Sequence, residues 1–256
     1  MSNTTHAEPM RRRTVLGAAI GAAASLASTL TWAQASDDKT AGGQHTLTRK
    51  QASIAPIGAA MAVGDMPQLS AALNAGLDAG LTVAEAKEVL VQLYAYAGFP
   101  RSLNALGELM KVLDARKQLG LKDAAGAAPG PVPTGQALLA LGTANQTKLL
   151  GAPAKGPLFE FAPAIDEYLK THLFGDIFGR DNLGWQSREL ATLGALSAMT
   201  GVESQLQSHA RISMNVGLTV EQLRTVVDTL ALRGQAEAAR RLRTAVELAA
   251  PTTAAK

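Results

Sequence analysis

Slid along itself by 137 residues, the chain matches without gaps. Gly64 falls on Gly201, Gln68-Leu69 on Gln205-Leu206, Gly80-Leu81-Thr82-Val83 on Gly217-Leu218-Thr219-Val220, Val89 on Val226 and Leu93 on Leu230. A repeat of this length implies a duplicated structural unit, and each copy has to bury its apolar face against something. Each Gly-Leu-Thr-Val is a helix stop followed by a helix start: the glycine can take the left-handed conformation, and the threonine can cap. Glu85 follows Thr82 by three residues and Gln222 follows Thr219 by three, so both starts read as capping boxes. In the second copy, Ser187 is expected to cap a helix through Met199 that ends at Gly201. A helix from about Glu203 to Val216 then stops at Gly217, another starts at Thr219, and a last one starts near Gln235. Leu223, Val226, Val227 and Leu230 recur at spacings of three and four and give one buried face.

Nothing in the composition argues for sheet. Aromatic residues make up only 4% of the chain, whereas alanine, leucine and glycine abound. The expected fold is all-α. Residues 49–122 form the first unit, 123–163 the linker and 164–250 the second unit. The linker is marked by the Ala/Gly/Pro cluster from Asp123 to Pro133 and an irregular stretch from Pro153 to Pro163. Neither unit is large enough to cover its own helices, so the two are expected to pack as a pseudo-symmetric pair.

Residues 1–35 have the parts of an export signal: Arg11-Arg12-Arg13 before an apolar stretch from Val15 to Trp32, then Ala33-Gln34-Ala35. The arginine pair resembles a twin-arginine signal, and a periplasmic location follows. Cleavage after Ala35 would leave no stable membrane anchor, because the apolar stretch is too rich in small residues. Residues 36–48, which include His45, read as a flexible tether. The leader's three arginines and one glutamate account for two of the chain's three net positive charges. The rest is close to neutral and carries no basic patch with interleaved aromatics, so no nucleic-acid partner is expected. Cysteine is absent, which excludes disulfides and thiolate chemistry.

Three segments of the second copy carry a family pattern: Arg188-Glu189-Leu190-Ala191-Thr192-Leu193, Gln205-Leu206-Gln207-Ser208-His209 and Asn215-Val216-Gly217-Leu218-Thr219. The first copy adds Ala79-Gly80-Leu81-Thr82, Glu88 to Leu93 and Tyr96 to Leu106. Together they resemble the carboxymuconolactone decarboxylase family over most of residues 49–245. The resemblance implies two alkylhydroperoxidase D-like helical units and a homo-oligomer, extrapolated to a trimer of two-unit chains. It also implies that His209 and Glu189 occupy the family's functional positions. At the 137-residue offset their counterparts are Ala72 and Ala52, so only one unit is chemically equipped. The peroxidase branch of this fold needs a Cys-x-x-Cys pair, which the chain lacks.

The implied chemistry is acid–base decarboxylation or isomerisation of a small carboxylated lactone or related compound, with His209 as proton donor and Glu189 as its partner. Gln205, one helical turn before His209, would join the polar cluster. Arg188 and Arg101, with Arg211 behind them, are candidates to bind a substrate carboxylate; on residue type alone, surface positions suit all three better. Read without the family, His209 is an ordinary helix histidine and Glu189 a favourable first-turn charge, which leaves a non-catalytic oligomeric binding or assembly module as the alternative. His172 and Trp185 flank a packed turn, Phe174 to Phe178, and read as structural. No set of ligands at metal spacing and no phosphate loop is present, so neither metal nor cofactor is expected.

Overall fold

The computed structural model describes residues 46–251, and every described element is helical. The expected leader and most of the tether lie outside these residues. The first copy comprises α1 (Arg49–Ala52), α2 (Ile54–Val63), α3 (Met66–Asp78), α4 (Val83–Gln92), α5 (Tyr94–Ala97) and α6 (Phe99–Gln118). After it come α7 (Gly135–Leu150), α8 (Pro157–Phe161), α9 (Pro163–Tyr168) and a π-helix (Leu169–Ile177). The second copy follows as α10 (Trp185–Ala198), α11 (Glu203–Asn215), α12 (Val220–Leu232) and α13 (Ala236–Ala249).

The two capping boxes form as the sequence predicts. Thr82 Oγ1 accepts from Glu85 N while Glu85 accepts from Thr82 N, and Thr219 with Gln222 repeats the arrangement. One cap differs from expectation. α10 begins at Trp185, with Gly184 as its N-cap, and Ser187 is buried inside the helix.

The two copies share one core, and its centre is the contact between α2 and α10. A methyl group built on Gly58 would lie 2.4 Å from the carbonyl oxygen of Ala191, and one on Gly194 would lie 2.1 Å from that of Ala55. The contact is reciprocal, Gly58 to Ala191 and Gly194 to Ala55, as expected where a pseudo-twofold axis passes between the helices. It also fixes the register of this helix pair. Gly58 corresponds to Gly194 and Ala55 to Ala191, an offset of 136, and the turn after α10 (199–202) is longer than the turn after α2 (64–65). The counterpart of Glu189 is therefore Ser53, not Ala52.

The stretch 123–163 is not merely a linker. Its first part is extended but tied down: the carbonyls of Ala124 and Ala125 accept from Val83 N and Ala84 N, two first-turn amides of α4, each at 2.9 Å. Then α7, a helix of 16 residues, packs on the π-helix. The approach is close at Gly142, where an added methyl would lie 1.6 Å from the carbonyl oxygen of Lys170. Asn145 Nδ2 donates to the carbonyl of Phe174 at 2.8 Å. Phe174 to Phe178, expected as a packed turn, lies at the end of this π-helix and beyond it. A second apolar cluster forms here from Leu149, Leu173, Phe174, Ile177, Phe178 and Ile212, with Tyr94, Tyr96 and Trp185 against it.

Candidate functional site

Two residues singled out in the sequence meet. α10 is buried along nearly its whole length, which carries Glu189 into the interior; α11 is amphipathic, and its buried face bears Leu206, His209, Ala210, Ile212 and Ser213. Where the helices face each other, His209 Nδ1 lies 2.8 Å from Glu189 Oε2. The glutamate is fully buried and the histidine side chain about 10% exposed. With a carboxylate accepting from Nδ1–H, the neutral ring carries its lone pair on Nε2. Among the described residues, Nε2 makes no hydrogen bond, and the side chain keeps some exposure. The second oxygen of Glu189, Oε1, is buried without a partner.

The first copy contributes a third group, Tyr96 on α5. Its ring meets that of His209 edge to face, with centroids 5.4 Å apart at 80°. The hydroxyl is buried near Thr192 and makes no hydrogen bond of acceptable geometry. Burial raises its pKa well above the ordinary value of 10, and the nearby Glu189 charge pushes the same way, so Tyr96 is a neutral phenol at any physiological pH. Sequence reasoning gave Tyr96 no role. The available signal was its rarity, as one of three tyrosines in the chain.

Beneath this group lies a buried ionic network that fixes α10 against α4. Arg188 is fully buried; Nη2 donates to Glu88 Oε1 at 2.9 Å and to the carbonyl of Arg180 at 3.0 Å, and Nη1 donates to Gln92 Oε1 at 3.0 Å. Gln92 Nε2 in turn donates to the Arg188 carbonyl and to Thr192 Oγ1. Arg180 and Asn182 complete the shell around Glu88. Burial alone would raise the Glu88 pKa, but the hydrogen bonds and charges of Arg180 and Arg188 outweigh it and hold the carboxyl below 4.5. Burial lowers the Arg188 pKa, Glu88 opposes the shift, and a guanidinium remains charged at neutral pH.

The three expected substrate-binding residues do not join the pair. Arg188 is not on the surface: its two Nη atoms donate to Glu88, Gln92 and the Arg180 carbonyl, and its buried Nε has no hydrogen-bond partner. Arg101 is exposed and donates to the Val63 carbonyl, where it closes the C-terminal end of α2. Gln205 is exposed and accepts from Ser204 Oγ at 2.9 Å, with no bond to His209 or Glu189. Arg211 is exposed. His172 sits on the π-helix, also exposed, with Nδ1 2.8 Å from Asp176 Oδ2, and Trp185 Nε1 donates to the Phe178 carbonyl.

Among the described residues, no group of three His, Cys, Asp or Glu side chains is placed to hold a metal ion, and no helix is long and apolar enough to cross a membrane.

The sequence matches the carboxymuconolactone decarboxylase family over residues 19–110 and again over 163–248. The chain belongs to this family. The first matched region covers α1 to α5 and the first part of α6, the second covers α10 to α12 and nearly all of α13, and the Glu189–His209 pair lies wholly in the second. A comparison with curated proteins found no match.

Proposed function

We propose that the protein is an acid–base enzyme that decarboxylates or isomerises a small carboxylated lactone or a related compound, with His209 moving the proton. One observation carries this reading: an imidazole and a carboxylate from neighbouring helices meet at 2.8 Å, buried, with Nε2 left unbonded among the described residues. A buried carboxylate on Nδ1 fixes the tautomer and orients the ring. Loss of carbon dioxide breaks the bond to the carboxylate carbon and sends that electron pair into the conjugated lactone carbonyl. The resulting enolate takes a proton from the His209 imidazolium, so one proton is consumed for each carbon dioxide released. Isomerisation uses the same groups, with Nε2 taking a proton from one carbon and returning it to another. Tyr96 forms an apolar wall beside the ring. Neither route uses sulfur.

A second reading has one observation in its favour. Two surface recesses of about 190 Å³ open elsewhere on the chain, and neither is lined by Glu189 or His209. In a non-catalytic binding or assembly module, the pair would serve only to hold α11 on α10. We further propose that the chain acts in the periplasm as a homo-oligomer, a trimer of two-unit chains, on the strength of the leader sequence and the family resemblance.

The test is a panel of carboxylated lactones assayed for carbon dioxide release and, by NMR, for isomerised product. The enzyme reading expects His209→Ala and Glu189→Ala each to lower turnover by about 10²-fold or more while the helical circular dichroism spectrum persists. Full activity in either variant contradicts the assigned roles.

A further inference from the structure

The pseudo-twofold relation between the copies places a second position opposite the Glu189–His209 pair, and there the structure is open. A recess of about 190 Å³ lies among α1, the start of α2, α3 and α12. Its lining residues are the counterparts of those around the first site. In the α2/α10 register, Ser53 stands for Glu189 and Ala52 for Arg188. In the register of the remaining helices, Thr229 stands for Gln92, Arg233 for Tyr96 and Ala75 for Ile212. At each of these five positions but the fourth, a smaller side chain replaces a larger one. Smaller side chains thus line the recess where Glu189, Arg188, Gln92 and Ile212 stand in the other half, while Ala72, the counterpart of His209, is buried and does not line it.

The recess has the opposite chemistry to the first site. Among the described residues that line it there is no carboxylate and no imidazole. Arg49 and Arg233 line it, both are exposed, and among the described residues neither is engaged by an acidic side chain. The two hydroxyls have committed their protons, Ser53 Oγ to the Lys50 carbonyl and Thr229 Oγ1 to the Thr225 carbonyl, each at 2.7 Å. The two guanidiniums are thus the free donors, and their planar forks suit carboxylate oxygens. Ala52, Ala75 and Ala79 supply methyl groups that a bare inorganic anion could not use.

We infer that this recess is a binding site for a small organic carboxylate, with the carboxylate held by Arg49 and Arg233 and its hydrocarbon body against the alanine methyls. The site is separate from Glu189 and His209 and does not depend on their being catalytic.

Benzoate is the probe and inorganic phosphate the comparator, titrated into the full chain with its alanine methyl groups carbon-13 labelled. Ring-current shifts of the Ala52, Ala75 and Ala79 methyls report this recess and no other. The expected result is a saturable shift of these signals whose apparent Kd rises at least tenfold in Arg233→Gln and in Arg49→Gln, while phosphate at equal concentration fails to displace benzoate. Both arginines are exposed, so neither variant threatens folding. The inference is overturned if the three methyls do not move, if they move equally in the arginine variants, or if phosphate competes as well as benzoate binds.

Discussion

Replacing Glu88 by glutamine should weaken the fold far more than a one-atom change suggests. In the wild-type protein Glu88 is 2% exposed and faces the fully buried Arg188 at 2.9 Å. The variant leaves Arg188 with two neutral acceptors, Gln92 Oε1 and the Arg180 carbonyl, and no buried counterion. Arg180 is about one-third exposed and can turn toward water, so it offers Arg188 nothing in return. Removing one partner of a buried ion pair costs about 3–5 kcal/mol. Because glutamine preserves shape and can still accept one hydrogen bond, the lower end applies, about 3 kcal/mol. For a body of this size each kcal/mol is worth about 2–4 °C, so the melting midpoint should fall by about 6–12 °C. Differential scanning calorimetry at pH 7 measures it. A fall of less than about 2 °C would refute the buried network. If Arg188→Met left the melting midpoint unchanged but abolished turnover, Arg188 would be a substrate-binding residue after all.

The same carboxylate makes stability depend on acid. Its pKa is held below the ordinary 4.5 in the folded chain, so the stabilisation is complete above that value and is lost as the pH falls through the folded pKa; Glu88→Gln should flatten that part of the pH–stability curve. Thermal melts from pH 7 downward test this, and an unchanged acid limb in the variant would count against it. At the crossing of α2 and α10, Gly194→Ala forces a methyl against the Ala55 backbone at 2.1 Å, where no flexible side-chain end can give way. Overpacking of this kind costs about 1–3 kcal/mol, readable by urea denaturation, and a neutral result would mean that the copies sit further apart than described.

What could be read from the sequence was what local chemistry fixes. The capping boxes at Thr82 and Thr219 and the stops at Gly80 and Gly217 depend on residues three or four apart, and they form as expected. Glu189 and His209 lie 20 residues apart, and the helix–turn–helix between them brings the two together. Long-range packing stayed hidden. Arg188 meets Glu88 across 100 residues, so nothing near Arg188 announces that it is buried. Tyr96 reaches His209 only because α5 of one copy packs on α10 of the other. The π-helix and α7 hold each other through Gly142, Gly175 and Asn145, none of which carries a local helix signal. The Ser53 counterpart of Glu189 was missed because the longer turn after α10 shifts the register within that helix pair alone.

The most direct measurement is the nitrogen-15 NMR spectrum of His209 in the full chain, labelled at histidine and titrated with pH, with Glu189→Gln as the comparison. The account predicts a neutral ring protonated on Nδ1 with a bare Nε2, and a weakened preference for that form when the carboxylate is removed. A neutral ring protonated on Nε2 instead of Nδ1, or one whose spectrum is indifferent to residue 189, would contradict it.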